Sequence, residues 1–116
     1  MREIEMSPIR DWLRTLDDDT IAQIIHAAEL LAQEGPNLRR PLVGKITGSS
    51  IKALKELRPG SIGHSEVRIL FVFDPHRRAI MLVGGDKSGK WNKWYKTAIP
   101  QAERTYQQWM DENEGD

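Results

Sequence analysis

Residues 2–6 (Arg-Glu-Ile-Glu-Met) alternate polar and apolar side chains, which predicts a short edge strand. Ser7-Pro8 then reads as an N-cap with proline at the first helical position. Ile9, Trp12, Leu13 and Leu16 fall at i, i+3, i+4 and i+7, so the helix is expected to run to about Leu16. The run Asp17-Asp18-Asp19-Thr20 breaks it and caps a second helix, because carboxylates favour a helix N-terminus. Ile21, Ile24, Ile25, Ala28, Leu31 and Ala32 give this second helix its apolar stripe, and Gly35-Pro36 stops it. The two form a helical hairpin.

From Leu42 the pattern changes to strands. Ile46 lies in a short strand or extended arm punctuated by Gly44 and Gly48. Residues 52–58 fit helix or strand by composition; the Pro59-Gly60 pair and the strand-forming segments beyond favour strand. Residues 66–73 (Glu-Val-Arg-Ile-Leu-Phe-Val-Phe) and 79–83 (Ala-Ile-Met-Leu-Val) are apolar and β-prone, and Asp74-Pro75 joins them as a hairpin. If Phe73 and Ala79 close that turn, Arg68 lies opposite Gly84. Residues 84–90 read as a polar loop. A last helix over roughly 98–112, opening near Pro100, carries Ile99, Ala102, Tyr106, Trp109 and Met110 on one side. The expected fold is α+β: an N-terminal helical hairpin and a C-terminal helix packed on one face of a small, mainly antiparallel twisted sheet. Trp12 and Trp109 are expected in its core.

A length of 116 residues suits one domain, 1–116, and the absence of cysteine excludes disulfide scaffolds, thiolate metal sites and a Cys nucleophile. No apolar stretch approaches the roughly 20 residues of a membrane span. The polar start of the chain predicts no signal peptide, so a cytoplasmic location without membrane contact is expected. The formal net charge is zero but segregated: residues 1–36 carry −5, residues 37–96 carry +9 and residues 97–116 carry −4. A basic middle between acidic ends points to a surface for a polyanion, against the plainer reading of scattered solvated cations.

Within that segment Arg68 and Lys87 leave the hairpin at the same end, beside Gly84-Gly85, where a planar group has room to approach. Lys90, Lys93 and Lys96 follow, interleaved with Trp91, Trp94 and Tyr95; cations for phosphates and aromatic faces for unpaired bases suit single-stranded RNA. The alternatives are structural. Arg68 is half of a cross-strand ion pair if Glu56 lies opposite it, the lysines form a solvated loop, and the aromatics anchor that loop in the core. Gly84, Gly89 and Lys90 imitate a P-loop, but Trp91 replaces its hydroxyl and no parallel sheet is indicated, so that reading fails. His26 fits a helix surface and His76 a solvated turn with Arg77 and Arg78. His64, ahead of the 66–73 strand, is a candidate for acid–base work. No His/Asp/Glu spacing suits a metal, and no cofactor is indicated.

The series Leu54-Lys55-Glu56-Leu57-Arg58, Val67 through Asp74, and Leu82-Val83-Gly84-Gly85-Asp86-Lys87 resembles the HigB/RelE-type toxins of bacterial type II toxin–antitoxin modules, in the HigB-like branch that includes phage-derived proteins. Glu29 through Pro36, Trp94-Tyr95-Lys96 and Ile99-Pro100-Gln101-Ala102 extend the likeness over nearly the whole chain. The resemblance implies a small ribonuclease fold and an mRNA interferase that cuts mRNA on the ribosome. It also implies a cognate HigA-like helix-turn-helix antitoxin. It puts the family's strand arginine on Arg68, its post-strand lysine on Lys87 and its aromatic on Tyr95 as catalytic residues. Arg58, Lys90, Lys93, Lys96 and Trp94 would bind RNA. The expected reaction is metal-free attack of a 2′-OH on its neighbouring phosphate, with preorganised cations supplying several kcal/mol, on the order of one oxyanion-hole donor at roughly 3–4 kcal/mol. An amine or phenol with a pKa of about 10 is a poor general base, which leaves the proton transfers unassigned. ParE-like inhibitors of DNA gyrase share the fold without the nuclease site, and an inactive phage-derived binding protein is a third possibility.

Overall fold

A computed structural model of the chain describes residues 2–60, 63, 65–76, 78–90 and 92–113. Its centre is a hairpin of two apolar strands, β4 (Val67–Phe73) and β5 (Ala79–Asp86). In order along the chain, the sheet contains β1 (Ile4–Glu5), β2 (Val43–Lys45), β3 (Lys55–Leu57), β4 and β5. The spatial order is β1-β5-β4-β3-β2, with β1 parallel to β5 and every other pairing antiparallel. Asp74 holds the hairpin tip: its Oδ1 accepts from the backbone N–H groups of His76 and Arg78 at 3.0 and 2.7 Å, and its Oδ2 from Arg78 Nε at 2.7 Å.

The helices are α1 (Arg10–Leu13), α2 (Asp18–Glu34) and α3 (Asn92–Asn113). The first arm of the predicted hairpin is shorter than its apolar spacing suggests. It is a 3-10 turn over Ser7–Ile9 followed by the single turn of α1. Thr15 ends it by donating both its backbone N–H and its hydroxyl to the Trp12 carbonyl, at 3.0 and 2.6 Å. The acidic cap behaves as expected, with Asp17 accepting from the Thr20 N–H at 2.7 Å, and Gly35 closes α2 at φ +56°.

Helices cover both faces of the sheet, not one. On one side Ile24, Ala27 and Leu31 of α2 pack with Ile69, Phe71 and Met81, joined by Trp12; on the other Ala98 and Ala102 of α3 pack with Leu70, Val72 and Ile80, joined by Trp109. Burial on both sides is why β4 and β5 read as continuous apolar runs rather than alternating ones. No described helix is long and apolar enough to cross a membrane.

Two further departures from the sequence pattern shape the site. The hairpin starts in the expected register, Phe73 opposite Ala79, but a β-bulge between Leu70 and Phe71 shifts the rest by one, so Arg68 pairs with Gly85 and Ile69 with Gly84. The C-terminal helix begins at Asn92, with Pro100 inside it. Pro100 and Lys96 are both exposed, so the Lys96 carbonyl that loses its helical partner can turn to water. Lys93, Trp94, Tyr95 and Lys96 therefore stand on helix, not loop. The P-loop imitation is likewise dissolved, since Gly84, Gly85 and Asp86 belong to β5.

Candidate functional site

Strand alternation puts Glu56 and Arg58 on the α3 face of the sheet, and Glu66, Arg68 and Leu70 with them. Glu56 pairs with Leu70, so Arg68 is its diagonal neighbour rather than its opposite. The bulge re-aims β5 so that Gly85, not Gly84, faces Arg68. A Cβ at Gly85 would overlap the Trp94 indole, and one at Gly84 would overlap Trp12 on the opposite face. This glycine pair lets an aromatic from each side press onto the strand. Gly44, opposite Glu56, serves Arg58 likewise: a Cβ there would meet its guanidinium at 2.5 Å.

At the centre lies the Glu56 carboxylate, only 1% exposed. A buried charge is tolerated only with partners. Its Oε1 accepts from Arg58 Nε at 2.9 Å and faces Arg68 Nε at 3.7 Å, while its Oε2 accepts a short hydrogen bond from the Tyr95 hydroxyl. Burial first, then the bond to Glu56 and that residue's charge, push the Tyr95 pKa well above the ordinary tyrosine value. Arg68 is 15% exposed; Nη1 donates to the Val67 carbonyl at 2.8 Å, and its buried Nε makes no hydrogen bond among the described residues.

A second carboxylate, Glu66, stands at the mouth, 35% exposed, with Oε2 at 3.9 Å from Arg68 Nη2 and 4.0 Å from Lys87 Nζ. Asp86 fixes this corner, accepting from the N–H groups of Glu66 and Ser88, both at 2.9 Å. Burial raises the Asp86 pKa, but those backbone bonds, the Ser88 side-chain bond and the nearby Lys90 charge together hold it below the usual carboxylate value. The Lys87 ammonium lies 5.4 Å from the centre of the Tyr95 ring, which meets the Trp94 ring edge-on at 5.0 Å. Three cations thus share two carboxylates in one corner of the sheet.

Of the residues singled out from sequence, the fold brings together Arg58, Arg68, Lys87, Trp94 and Tyr95. Lys90, Lys93 and Lys96 are exposed on the turn before α3 and on its first turns, in no ion pair among the described residues. His26 and His76 are exposed, while His64, Arg77 and Trp91 lie outside the described residues. The Arg68–Glu56 contact exists, but as one edge of a larger network. Glu66, just ahead of β4, escapes the sequence reading; its spacing of two from Arg68 is the available signal. No three acidic or histidine side chains among the described residues gather as a metal-ligating group.

Comparison with known proteins gives the same lineage as the sequence pattern. Residues 11–107 match the family described as "Phage derived protein Gp49-like". Two relatives come from Mycobacterium tuberculosis (strain ATCC 25618 / H37Rv). "Putative toxin HigB2" is 49% identical over 102 residues, 88% of this chain and 51% of that protein, so the chain spans about half its length. "Putative toxin HigB3" is 41% identical over 115 residues, 99% of this chain and 98% of that protein. The chain belongs to this phage-derived Gp49-like family, within the HigB-like branch of toxin–antitoxin toxins.

Proposed function

We propose that this chain is the toxin of a type II toxin–antitoxin module and inhibits translation by cutting mRNA on the ribosome. The observation that carries the reading is the corner itself: Arg68 and Lys87 flank one partly open carboxylate, Glu66, at 3.9 and 4.0 Å. In-line cleavage of RNA needs those parts. The 2′-oxygen attacks the adjacent phosphorus, the P–O5′ bond breaks, and a 2′,3′-cyclic phosphate and a 5′-hydroxyl result. Glu66 takes the 2′-OH proton and Lys87 gives one to the departing 5′-oxygen. Arg68 holds the charge that builds on the non-bridging oxygens; a preorganised donor of this kind is worth about 3–4 kcal/mol.

Tyr95 does not fit the base in this scheme. Its hydroxyl is committed to Glu56 and its raised pKa keeps it protonated at neutral pH. It positions Glu56 from one side while its ring supports Lys87 on the other. Glu56 in turn holds Arg58 and Arg68 to the sheet, so that Arg58 meets the RNA backbone beside the reacting phosphate. Lys90, Lys93 and Lys96 extend the cationic surface, and the half-buried Trp94 ring offers a base a stacking face. The natural inhibitor in this reading is a co-encoded helix-turn-helix antitoxin.

Induction in cells, followed by pulse labelling, tests the reading. Protein synthesis is expected to stop first, and Arg68→Ala at equal expression to abolish growth arrest. Early arrest of DNA replication with an SOS response would instead assign the chain to gyrase inhibition, and full toxicity of Arg68→Ala would remove Arg68 from the chemistry.

A further inference from the structure

A second cluster of cations lies on the α2 side of the sheet's free edge. The segment leaving α2 and the edge strand β2 enclose a cleft of about 530 Å³, lined by Arg39, Arg40, Lys45 and Lys55 with Leu38 and Gly44 among the other wall residues. No acidic residue lines it, and none of its four cations is in an ion pair among the described residues. Lys45 and Lys55 are direct cross-strand partners. Like charges placed opposite each other destabilise a sheet, so this arrangement lacks its counter-ion. Lys55 leans instead over the Phe73 ring, 5.5 Å from its centre.

We propose that this cleft binds the phosphodiester backbone of an RNA strand, as a contact separate from the Glu56 corner. Its lining is chiefly cationic, with too few apolar residues to anchor a protein side-chain cluster. Gly44 supplies the link: its backbone lines the cleft, and on the other face the Arg58 guanidinium lies against it. Because β2 ends the sheet, a strand leaving the cleft over that edge arrives at Arg58. The choice of RNA rests on the proposed function, whereas the anion site rests on the cleft alone.

The test is fluorescence anisotropy with a labelled single-stranded RNA of about 20 nucleotides, titrated with the whole chain over a series of salt concentrations. Each cation that neutralises a phosphate contributes about 0.7 to the salt slope. The triple variant Arg39→Gln/Arg40→Gln/Lys45→Gln is expected to bind on the order of tenfold more weakly, with the slope lowered by about 2. Lys55→Gln alone, a milder change should the triple variant fold poorly, is expected to lower it by about 0.7. Unchanged affinity and slope in folded variants would overturn the proposal, as would no binding by the wild type at low salt. So would variants that keep RNA but lose a polyglutamate peptide, which assigns the cleft to an acidic protein segment. Ribosomal mRNA cleavage is scored separately: if RNA binding responds and no cleavage occurs, the cleft stands and the nuclease reading falls.

Discussion

The cations on the two sides of Gly44 are grouped in opposite ways. In the α3-side corner Arg58, Arg68 and Lys87 are answered by Glu56 and Glu66 within 4.0 Å. In the edge cleft two lysines face each other across neighbouring strands and two arginines join them without a carboxylate. The first arrangement fixes side chains in place, as chemistry requires. The second leaves charge unmet, as capture of a polyanion requires. A count of basic residues along the chain does not separate the two; only their partners do.

The corner's dependence on its carboxylates is greatest at Glu56. Removing one partner of a buried charge network strands the others, so Glu56→Leu is expected to cost about 3 kcal/mol, nearer the lower end of the usual range because Arg58 is partly exposed. Urea denaturation measures this, and a loss below about 1 kcal/mol would mean the corner does not depend on its carboxylate.

Next comes Tyr95→Phe, which leaves Glu56 Oε2 without its donor and is expected to cost about 1–3 kcal/mol. The same residue gives a pH signature. Its folded pKa is raised, so its stabilising contribution is fully present below the unfolded value of about 10 and is lost as pH rises through the folded value. Wild type is therefore expected to lose stability more steeply than Tyr95→Phe above pH of about 10. Tyrosinate absorbance should show that the component removed by the substitution titrates above the ordinary range. Titration at the ordinary value would mean the hydroxyl is not held by Glu56.

Gly44→Ala sharpens the boundary between the two regions. The atoms nearest the new methyl belong to the flexible Arg58 guanidinium, so stability is expected to fall by less than about 1 kcal/mol while mRNA cleavage drops severalfold. Equal loss of stability and activity would show that Arg58 was packing rather than positioned for substrate.

The smallest effect has the opposite sign. Lys55→Thr removes one of two facing lysines and is expected to raise stability by about 0.2–1 kcal/mol at low salt, less at high salt. Destabilisation would show that the Lys55–Phe73 contact outweighs the repulsion.

Most of the fold is legible in the sequence because its signals are local. The acidic cap at Asp17, the stop at Gly35 and the apolar runs of β4 and β5 each act within a few residues. What escapes notice depends on tertiary context. The Leu70/Phe71 bulge moves Arg68 from Gly84 to Gly85, and no residue type announces it. Pro100 looks like a helix start because proline favours the first helical turn, yet α3 runs through it with the Lys96 carbonyl free to meet solvent, which hides the first turns of α3. Arg58, Arg68, Lys87 and Tyr95 are singled out by residue type, order and family resemblance. The network that joins them is not: the sequence offers Glu56 only as a single ion-pair partner for Arg68, and its burial under Tyr95 and its bond to Arg58 appear once α3 packs on the sheet.

Whether this corner cuts mRNA is decided by primer extension on a reporter mRNA in a reconstituted translation reaction. The comparison sets wild type against Arg68→Ala and Glu66→Gln, with and without ribosomes. Codon-phased cuts that require ribosomes and disappear in both variants are expected. Intact mRNA in the presence of folded wild-type protein that still arrests growth, or cleavage by Arg68→Ala at the wild-type rate, would contradict the nuclease reading.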